Sequence, residues 1–454
     1  MSTFSGLNIA LTSLFAQQRA LDVTGQNIAN VNTPGYHRQQ VVLAPAAGTI
    51  PGPMGQSLLC GGVDVLGLRR ADTGYVDLQL RLAASTAGRW TAAQEPLAAV
   101  QTILTEPPAD DLGGLLDSLW SAWQGLAASP EQLAPRLQVQ QAGYRLATAL
   151  NNRYQQLRTL QDSLYATATT TVAEINTLAQ QVADLNAGIV AGQAAGRESS
   201  ELIDQRQQAL ERLAQLGGVV AYAPEAKGPI ISLGGQPLVQ GATAYALEIA
   251  RGPLGEIQLT WAEDGTPVTV TGGELFGLMA ARDQQIPSYL QAMDDIAAAL
   301  MTAVNAAHDD GAGMHGEVGP FFAGTGAADI RLADAVAADA SAIAAGLAGL
   351  PADGSVAAAI AGLRDQALVG TQTLNQAAQG LLARIGTEVN QANDQAGIAQ
   401  AVARQLATQQ QSIGGVSLDE EMANMIQYQH AYGAAARVLS TMDDMLGDLI
   451  AMME

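Results

Sequence analysis

The chain has 454 residues and carries 43 acidic against 21 basic side chains, which gives a formal net charge of −22. We expect no nucleic-acid partner, because phosphate binding needs basic patches and Lys227 is the only lysine. No apolar run approaches the roughly twenty residues that cross a bilayer, so we expect no membrane partner either.

The first 36 residues carry a heptad pattern. Apolar residues recur at alternating gaps of three and four, which places them on one narrow stripe of a helix. A helix of this kind cannot bury its stripe alone and needs a partner helix. Pro34 and Gly35 predict that the helix ends near Asn32. The predicted stripe consists of Phe4, Leu7, Leu11, Leu14, Gln18, Leu21, Gly25 and Ile28.

The next part of the chain is predicted to lead into a helical rod. Residues 39–43 read as a short extended segment, and residues 44–62 are rich in Gly, Pro and Ala, which indicates a loop or linker. Alternation at period two predicts a strand over residues 63–68. Helical patterns follow, with leucine stripes typical of packed cores. We predict helices at about residues 72–104, 130–188 and 201–217, and one that begins near residue 110 and includes Trp123.

The centre of the sequence changes from helical to period-two alternation. About five short strands are predicted between residues 218 and 272, separated by Gly-Gly, Gly-Pro and Asp-Gly pairs. Helix resumes over residues 274–308, and a final rod helix is predicted over residues 369–412. Residues 309–354 read as loops, short helices and one strand near residues 330–332.

The last helix repeats the heptad spacing of the first. Its predicted stripe slips by one residue after Leu439, and the two terminal helices are expected to pair and to form the assembly interface. The stripe consists of Leu418, Met422, Met425, Gln429, Tyr432, Ala436 and Leu439, and then of Met442, Leu446, Leu449 and Met453.

The predicted fold is mainly α with a β insert. Terminal coiled-coil helices lie outermost, a long α-helical bundle domain comes next, and a small β domain is inserted in it. The boundaries are 1–62 with 416–454 for the terminal coiled-coil domain and its linker, 63–217 with 273–415 for the rod, and 218–272 for the β domain.

The residues that could carry chemistry form no catalytic pattern. His308, Asp309, Asp310 and His315 include two imidazoles and two carboxylates, but their glycine-rich spacing fixes no metal geometry. We therefore expect this loop to be solvated. Cys60 is the only cysteine, so no internal disulfide forms, and no histidine neighbours it as a base. We expect no catalytic, cofactor or metal site.

The segment that stops the first helix carries a family resemblance. Asn27-Ile28-Ala29-Asn30, followed by Gly35-Tyr36, is similar to the N-terminal signature of the flagellar rod, hook and hook-associated proteins. The run Tyr36-His37-Arg38-Gln39 resembles the hook-associated branch, although His37 departs from the small residue usual there. The motif residues are Asn27, Asn30, Asn32, Pro34, Gly35, Tyr36, Arg38 and Gln39.

Further similarity is spread along the chain. Residues 415–438 resemble the C-terminus of the hook-associated branch at the junction of hook and filament. Residues 202–206, 273–283 and 319–322 resemble internal segments of the same branch. The resemblance is therefore spread over the whole chain, with a central insert that is short for the family.

The resemblance implies a structural protein rather than an enzyme. It implies export through the flagellar type III apparatus without a cleavable signal peptide, and a place outside the cell at the end of the hook. The implied partners are copies of the chain itself in a ring or helical assembly, the hook protein, a second junction protein, and an export chaperone on the C-terminal helix.

Two alternatives remain, another axial subunit of the hook or distal rod, and a secreted adhesin or hydrolase carried on the flagellum. The leucine-rich rod and the Asp-Glu-Glu opening of the last helix argue against the hook protein, and residues 218–272 show no catalytic motif. We also expect the free subunit to have a folded middle and unordered terminal helices.

Overall fold

The computed structural model describes residues 3–52, 55–105, 111–197, 199–225, 228–253, 255–348, 350 and 352–452. Helix α1 (Thr3–Ala29) lies beside the last helix, α11 (Leu418–Ala451), at the two ends of the chain. A hairpin of β1 (Gln39–Gly52) and β2 (Gly55–Arg70) packs on α1. These elements are called the terminal unit below. The predicted pairing of the terminal helices is thus present.

The register of α11 differs from the prediction. Leu418 and Met422 are 45% and 56% exposed, whereas Glu421 is 2% exposed and Ala435 is buried. A charged residue was not counted toward an apolar stripe, which is why the prediction began one position off and then needed a slip. The inner positions follow unbroken gaps of four and three through Glu421, Met425, Tyr428, Tyr432, Ala435, Leu439, Met442 and Leu446.

The buried face of α1 is also shifted from the predicted stripe. Leu11 is 40% exposed and Gln18 is exposed, while Leu7, Leu14, Leu21, Gly25 and Ile28 are half-buried. Small side chains let α11 and the hairpin approach α1 closely, and the leucines lie beside that contact. The side chains of Phe4 and Leu449 fall outside the described residues. The buried residues of α1 are Ala10, Ala16, Ala20, Val23, Thr24 and Asn27.

The loop predicted for residues 44–62 is instead most of a long antiparallel hairpin. The pairing runs from Gln39 opposite Arg70 to Gly52 opposite Gly55, with irregularities at Val42/Leu43 and Pro45/Ala47. Backbone pairing needs no apolar alternation, so Gly-, Pro- and Ala-rich residues concealed it, and proline is tolerated at such a bulge. The strand predicted over residues 63–68 lies within β2.

The rod is an elongated helical bundle, as predicted. It contains α2 (Gly74–Thr105), α3 (Leu112–Ala128), α4 (Leu133–Ala194) and α5 (Ser200–Gly217). The predicted leucine stripe of α4 is buried, because α3, α5 and the central strands cover this helix at successive heights. Leu146, Leu150 and Leu157 have no exposed surface.

The central residues form two small antiparallel sheets, the first in the order β3-β4-β5-β6 and the second of β7 and β8. Val268 and Val270, whose alternation predicts the last of the five strands, are buried outside any described strand. The strands are β3 (Val220–Glu225), β4 (Gly228–Leu233), β5 (Gln236–Gln240), β6 (Thr243–Ala244), β7 (Leu247–Arg251) and β8 (Ile257–Trp261).

The strands do not enclose a core of their own. Ile231 and Leu259 belong to the same buried cluster as the rod helices. Asn176 of α4 donates from Nδ2 to the Leu247 carbonyl oxygen at 2.9 Å, and its Oδ1 accepts from the Leu247 amide at 2.8 Å. The strands are therefore an insert packed onto α4.

The chain then returns to the rod. Helix α6 (Gly273–Ala280) continues through a π-helical turn, Ala281–Gln285, into α7 (Ile286–Asp309). Two short strands and two short helices follow, β9 (Phe322–Ala323), β10 (Arg331–Leu332), α8 (Asp334–Ala338) and α9 (Ser355–Gly362). Helix α10 (Leu374–Gly414) packs along α2 and leads back to α11.

The loop that begins at His308 is not solvated at that residue, contrary to the prediction. His308 is 1% exposed and lies against Trp123 and Phe321. Its Nε2 accepts from the Ala344 amide at 2.9 Å, and its Nδ1 donates to the Gly319 carbonyl oxygen at 2.6 Å. Burial lowers the pKa of His308 below its ordinary value. The side chain therefore connects α7 to two loops.

Among the described residues, no group of three His, Cys, Asp or Glu side chains has the arrangement of a metal site. None of the described helices combines the length and the apolar character that crossing a membrane requires.

Candidate assembly site at the joint of the terminal unit and the rod

The predicted motif forms the turn that ends α1. We call residues 30–38 the signature loop, and the region where it meets the rod the joint. Gly35 has φ +74°, and a Cβ there would lie 2.0 Å from Nε2 of Gln208 on α5. The positive φ favours glycine, and a larger side chain would also displace Gln208 from the loop. Gln208 donates from Nε2 to the Pro34 carbonyl oxygen at 2.6 Å, so the loop rests directly on the rod.

Asn27 organises the terminal side of the joint. It is 1% exposed, and its amide makes four hydrogen bonds. Nδ2 donates to the Gln39 carbonyl oxygen at 2.9 Å and to Glu421 Oε2 at 3.0 Å. Oδ1 accepts from the Gln39 amide at 3.1 Å and from the Tyr36 hydroxyl at 2.9 Å. Helix α1, strand β1 and helix α11 therefore meet at one side chain.

The same cluster fixes the start of α11. Arg38 Nε lies 2.7 Å from Glu421 Oε1, and Arg38 Nη1 lies 2.6 Å from Glu420 Oε2. Both carboxylates lie in the first turn of α11, where the helix dipole also favours negative charge. Burial, together with the nearby carboxylates of Asp204 and Glu421, raises the pKa of Tyr36 to about 12. The phenol therefore stays protonated and donates to Asn27 at neutral pH.

The rod side of the joint is also polar. Asp204 of α5 contacts both His37 and Arg70. The Thr73 hydroxyl lies 3.3 Å from His37 Nε2 and donates to Asp77 at 2.9 Å. A cavity of ≈ 440 Å³ adjoins these groups between the signature loop and the end of α10.

The structure brings four of the eight predicted motif residues together in one cluster, and the other four lie in or beside the turn that ends α1. Asn27, Tyr36, Arg38 and Gln39 form the cluster on Glu421, and Pro34 with Gly35 shapes the turn. Asn30 makes local contacts, with Nδ2 donating to the Gln26 carbonyl oxygen, while Asn32 is exposed.

Sequence reasoning missed the two acidic residues that complete the joint, Glu421 and Asp204. A buried carboxylate has no pattern of its own in a sequence. The sequence signals for these residues are the acidic opening of α11 and the 202–206 segment, and neither signal indicates what the carboxylates contact.

Apolar side chains remain uncovered on the outside of the terminal unit. On α11, Leu418, Met422 and Ile426 recur every four residues and are 45–56% exposed. On α1, Leu11 and Phe15 are exposed as well. The pairing of α1 with α11 leaves these residues available to another helix.

Known proteins resemble the chain over much of its length. Flagellar hook-associated protein 1 of Bacillus subtilis is 29% identical, over 99% of this chain and 98% of that protein. Its counterpart in Salmonella typhimurium is 29% identical over 70% of this chain, and the match spans 58% of that protein. The solved structure of the flagellar hook junction protein FlgK from Burkholderia pseudomallei has the same fold. It gives a TM-score of 0.67 at 18% identity and covers 74% of this chain and all of that one.

Family models match the ends and the middle separately. Residues 7–37 match the model described as flagella basal body rod protein, and residues 410–452 match the flagellar basal body rod FlgEFG protein C-terminal model. The terminal unit and its joint thus define a flagellar axial protein. Residues 97–322 match the model of the flagellar hook-associated protein FlgK helical domain. Together these matches support a hook-filament junction protein related to flagellar hook-associated protein 1.

Proposed function

We propose that the chain is a structural subunit of the bacterial flagellum that assembles at the distal end of the hook and joins hook to filament. The similarity to flagellar hook-associated protein 1 supports this role, and the uncovered apolar residues of α1 and α11 carry the argument for assembly. A helix pair that buries one stripe and leaves a second exposed needs further helices around it. Copies of the same chain are the first such partners.

Charge favours a soluble free subunit. A net charge of −22 makes copies repel one another in solution, so contact must be driven by apolar burial at a place where subunits are held together. The growing tip of a flagellum is such a place. The hook protein below and a second junction protein above are the neighbours that this position implies.

Export precedes assembly in this proposal. The subunit passes through the flagellar type III apparatus, and an export chaperone binds the C-terminal helix before assembly. The exposed stripe of Leu418, Met422 and Ile426 supplies an apolar surface for that contact. No catalysis is assigned to the chain, because Asp204, Glu421 and His37 at the joint are occupied by hydrogen bonds within the chain.

The proposal is tested by electron microscopy of a deletion strain. Hooks without filaments, with filament protein released to the medium, are expected. Missing hooks would instead indicate a rod or hook subunit. Complementation by the intact chain should restore filaments.

Variants of the exposed stripe test the assembly surface. Met422→Asp and Leu11→Asp should permit export but prevent retention at the hook tip, because a carboxylate in a packed helix contact is costly. The matched control is Gln427→Asp, at an exposed position of α11 on a different face from the stripe. Equal loss of filaments in all three strains would show that the exposed stripe is not the interface.

A further inference from the structure

The terminal unit and the rod have separate cores. The continuous buried cluster of the rod runs from Leu97 to Ala392 and includes no described residue of α1, the hairpin or α11. The chain passes between the two bodies twice, after β2 and after α10, and the signature loop after α1 touches the rod and returns to the terminal unit; these three places are called the crossings below. What holds the terminal unit at its angle to the rod must therefore lie at these crossings.

One rod side chain contacts two of the three crossings. Asp204 is 5% exposed on α5. Its Oδ2 accepts from the His37 amide at 3.1 Å, and its Oδ1 lies 2.9 Å from His37 Nδ1. Oδ1 also accepts from Arg70 Nε at 2.6 Å. His37 belongs to the crossing after α1, and Arg70 ends β2 at the second crossing.

The third crossing is held through the same histidine. The Arg38 amide, next to His37, donates to the Gly414 carbonyl oxygen at 2.8 Å. A Cβ at Gly414 would lie 2.6 Å from Cδ2 of the His37 ring, so glycine is needed for this approach. The Ala71 amide donates to the Arg38 carbonyl oxygen at 3.0 Å. All three crossings therefore converge where Asp204 holds His37.

We propose that Asp204 is the positioning residue that fixes the angle between the terminal unit and the rod. No other described rod side chain bonds both to the signature loop and to the end of β2. Without its carboxylate, the Arg70 guanidinium and the His37 amide lose their rod partner in a buried place. The signature loop and the end of β2 then have no ion pair to the rod among the described residues, and the adjoining cavity leaves space for the signature loop to move.

Hydrogen exchange on the purified, full-length subunit tests the proposal without a flagellum. Asp204→Asn and, as a variant outside the rod, Arg70→Gln should each speed exchange of the His37, Arg38 and Ala71 amides about ten- to a hundredfold, because hydrogen bonds to charged groups stabilise by that order. The double variant should exchange no faster than Asp204→Asn alone if the two residues act together.

If Asp204 only stabilised the rod, Asp204→Asn would lower the Tm of the rod. The proposal instead predicts a rod Tm within about 2 °C of the parent in both variants, as for changes outside a core. Asp162→Asn is the matched control, because Asp162 also pairs with an arginine on the rod, at 3.1 Å, but is exposed. Two results would overturn the proposal. One is unchanged exchange at the joint in Arg70→Gln, and the other is faster exchange throughout the rod in Asp204→Asn.

The consequence for assembly rests on the proposed function and is measured separately. Cells that carry Asp204→Asn should export the subunit normally and attach fewer filaments. Full filament attachment, in a variant whose joint exchanges faster, would show that the angle is not needed for assembly. The hydrogen-exchange result would stand in that case, so failure of the two ideas can be told apart.

Discussion

At the scale of single residues, Asn27 shows why an amide is needed at the joint. It must donate twice and accept twice, to a backbone carbonyl, a carboxylate, a backbone amide and a phenol. A carboxylate at the same position could only accept, and a hydrocarbon could do neither. The requirement is for both hydrogen-bonding characters in one buried side chain.

Asn27→Asp is predicted to loosen the terminal side of the joint. The change removes the donor to Gln39 and places a second carboxylate beside Glu421, which should cost at least about 2 kcal/mol. The measurement is exchange of the Gln39 amide, which should accelerate. Asn32→Asp, at an exposed position of the signature loop, serves as the control and should leave exchange at Gln39 unchanged.

His308 is predicted to make the rod sensitive to acid. Its folded-state pKa lies below the ordinary value of 6.5 because the ring is buried, so the unfolded chain takes up a proton first as pH falls. Stability is complete above about pH 6.5 and declines below it, down to the folded-state pKa. Urea unfolding between pH 7.5 and 5 should show this decline.

The contribution of His308 is isolated by substitution. His308→Gln should lower stability at every pH but flatten its decline below neutrality, whereas the exposed His315→Gln should keep the parent profile. An identical pH slope in the parent and in His308→Gln would contradict the assignment.

At the scale of elements, periodicity predicted the positions of most helices but not which of their residues are buried. The spacing in α1 and α11 predicted two paired helices, and that pairing is present. The stripe was placed one position off because the buried contact uses alanines, Val23 and the paired Glu421 rather than leucines. The hairpin after α1 was missed altogether, since backbone pairing between Gly- and Pro-rich strands leaves no alternating pattern.

The terminal helices are predicted to gain their order on assembly. Fixing some sixty residues costs about 1 to 2 kcal/mol each, and a seam built mainly of alanine buries little apolar area in return. In the free subunit, residues 6–29 and 418–452 should exchange faster than α4, while the joint retains intermediate protection through Asp204. Protection of both terminal helices equal to that of α4, in a verified monomer, would refute this.

At the scale of the whole molecule, the insert and the rod are one body. The strands near residues 218–272 could be predicted from their alternation, but the pattern does not tell whether a strand packs on another strand or on a helix. The structure places their apolar faces against α4. The site was predictable to a similar degree. The motif marked the signature loop, but its partners Asp204 and Glu421 could not be predicted, because they lie 167 and 383 residues from the loop residues that they contact.

A core substitution in the insert should therefore destabilise the rod as well. Leu259 is 2% exposed, and Leu259→Ala should cost about 2–5 kcal/mol. Circular dichroism of the helices and tryptophan fluorescence should report the same lowered transition. The neighbouring exposed Gln258→Ala should change neither signal. Two separated transitions in Leu259→Ala would mean that the insert unfolds independently.

The length of α4 has a mechanical consequence. Its 62 residues form one uninterrupted helix of about 90 Å, supported along its sides by α3, α5 and the insert. A twisting load applied at either end of the rod passes along continuous backbone hydrogen bonds and does not have to cross a boundary between separately folded bodies. Elastic deformation should then concentrate where the backbone support stops, at the polar joint. A rotating filament would bend this subunit at its joint, while the rod turns as a stiff lever.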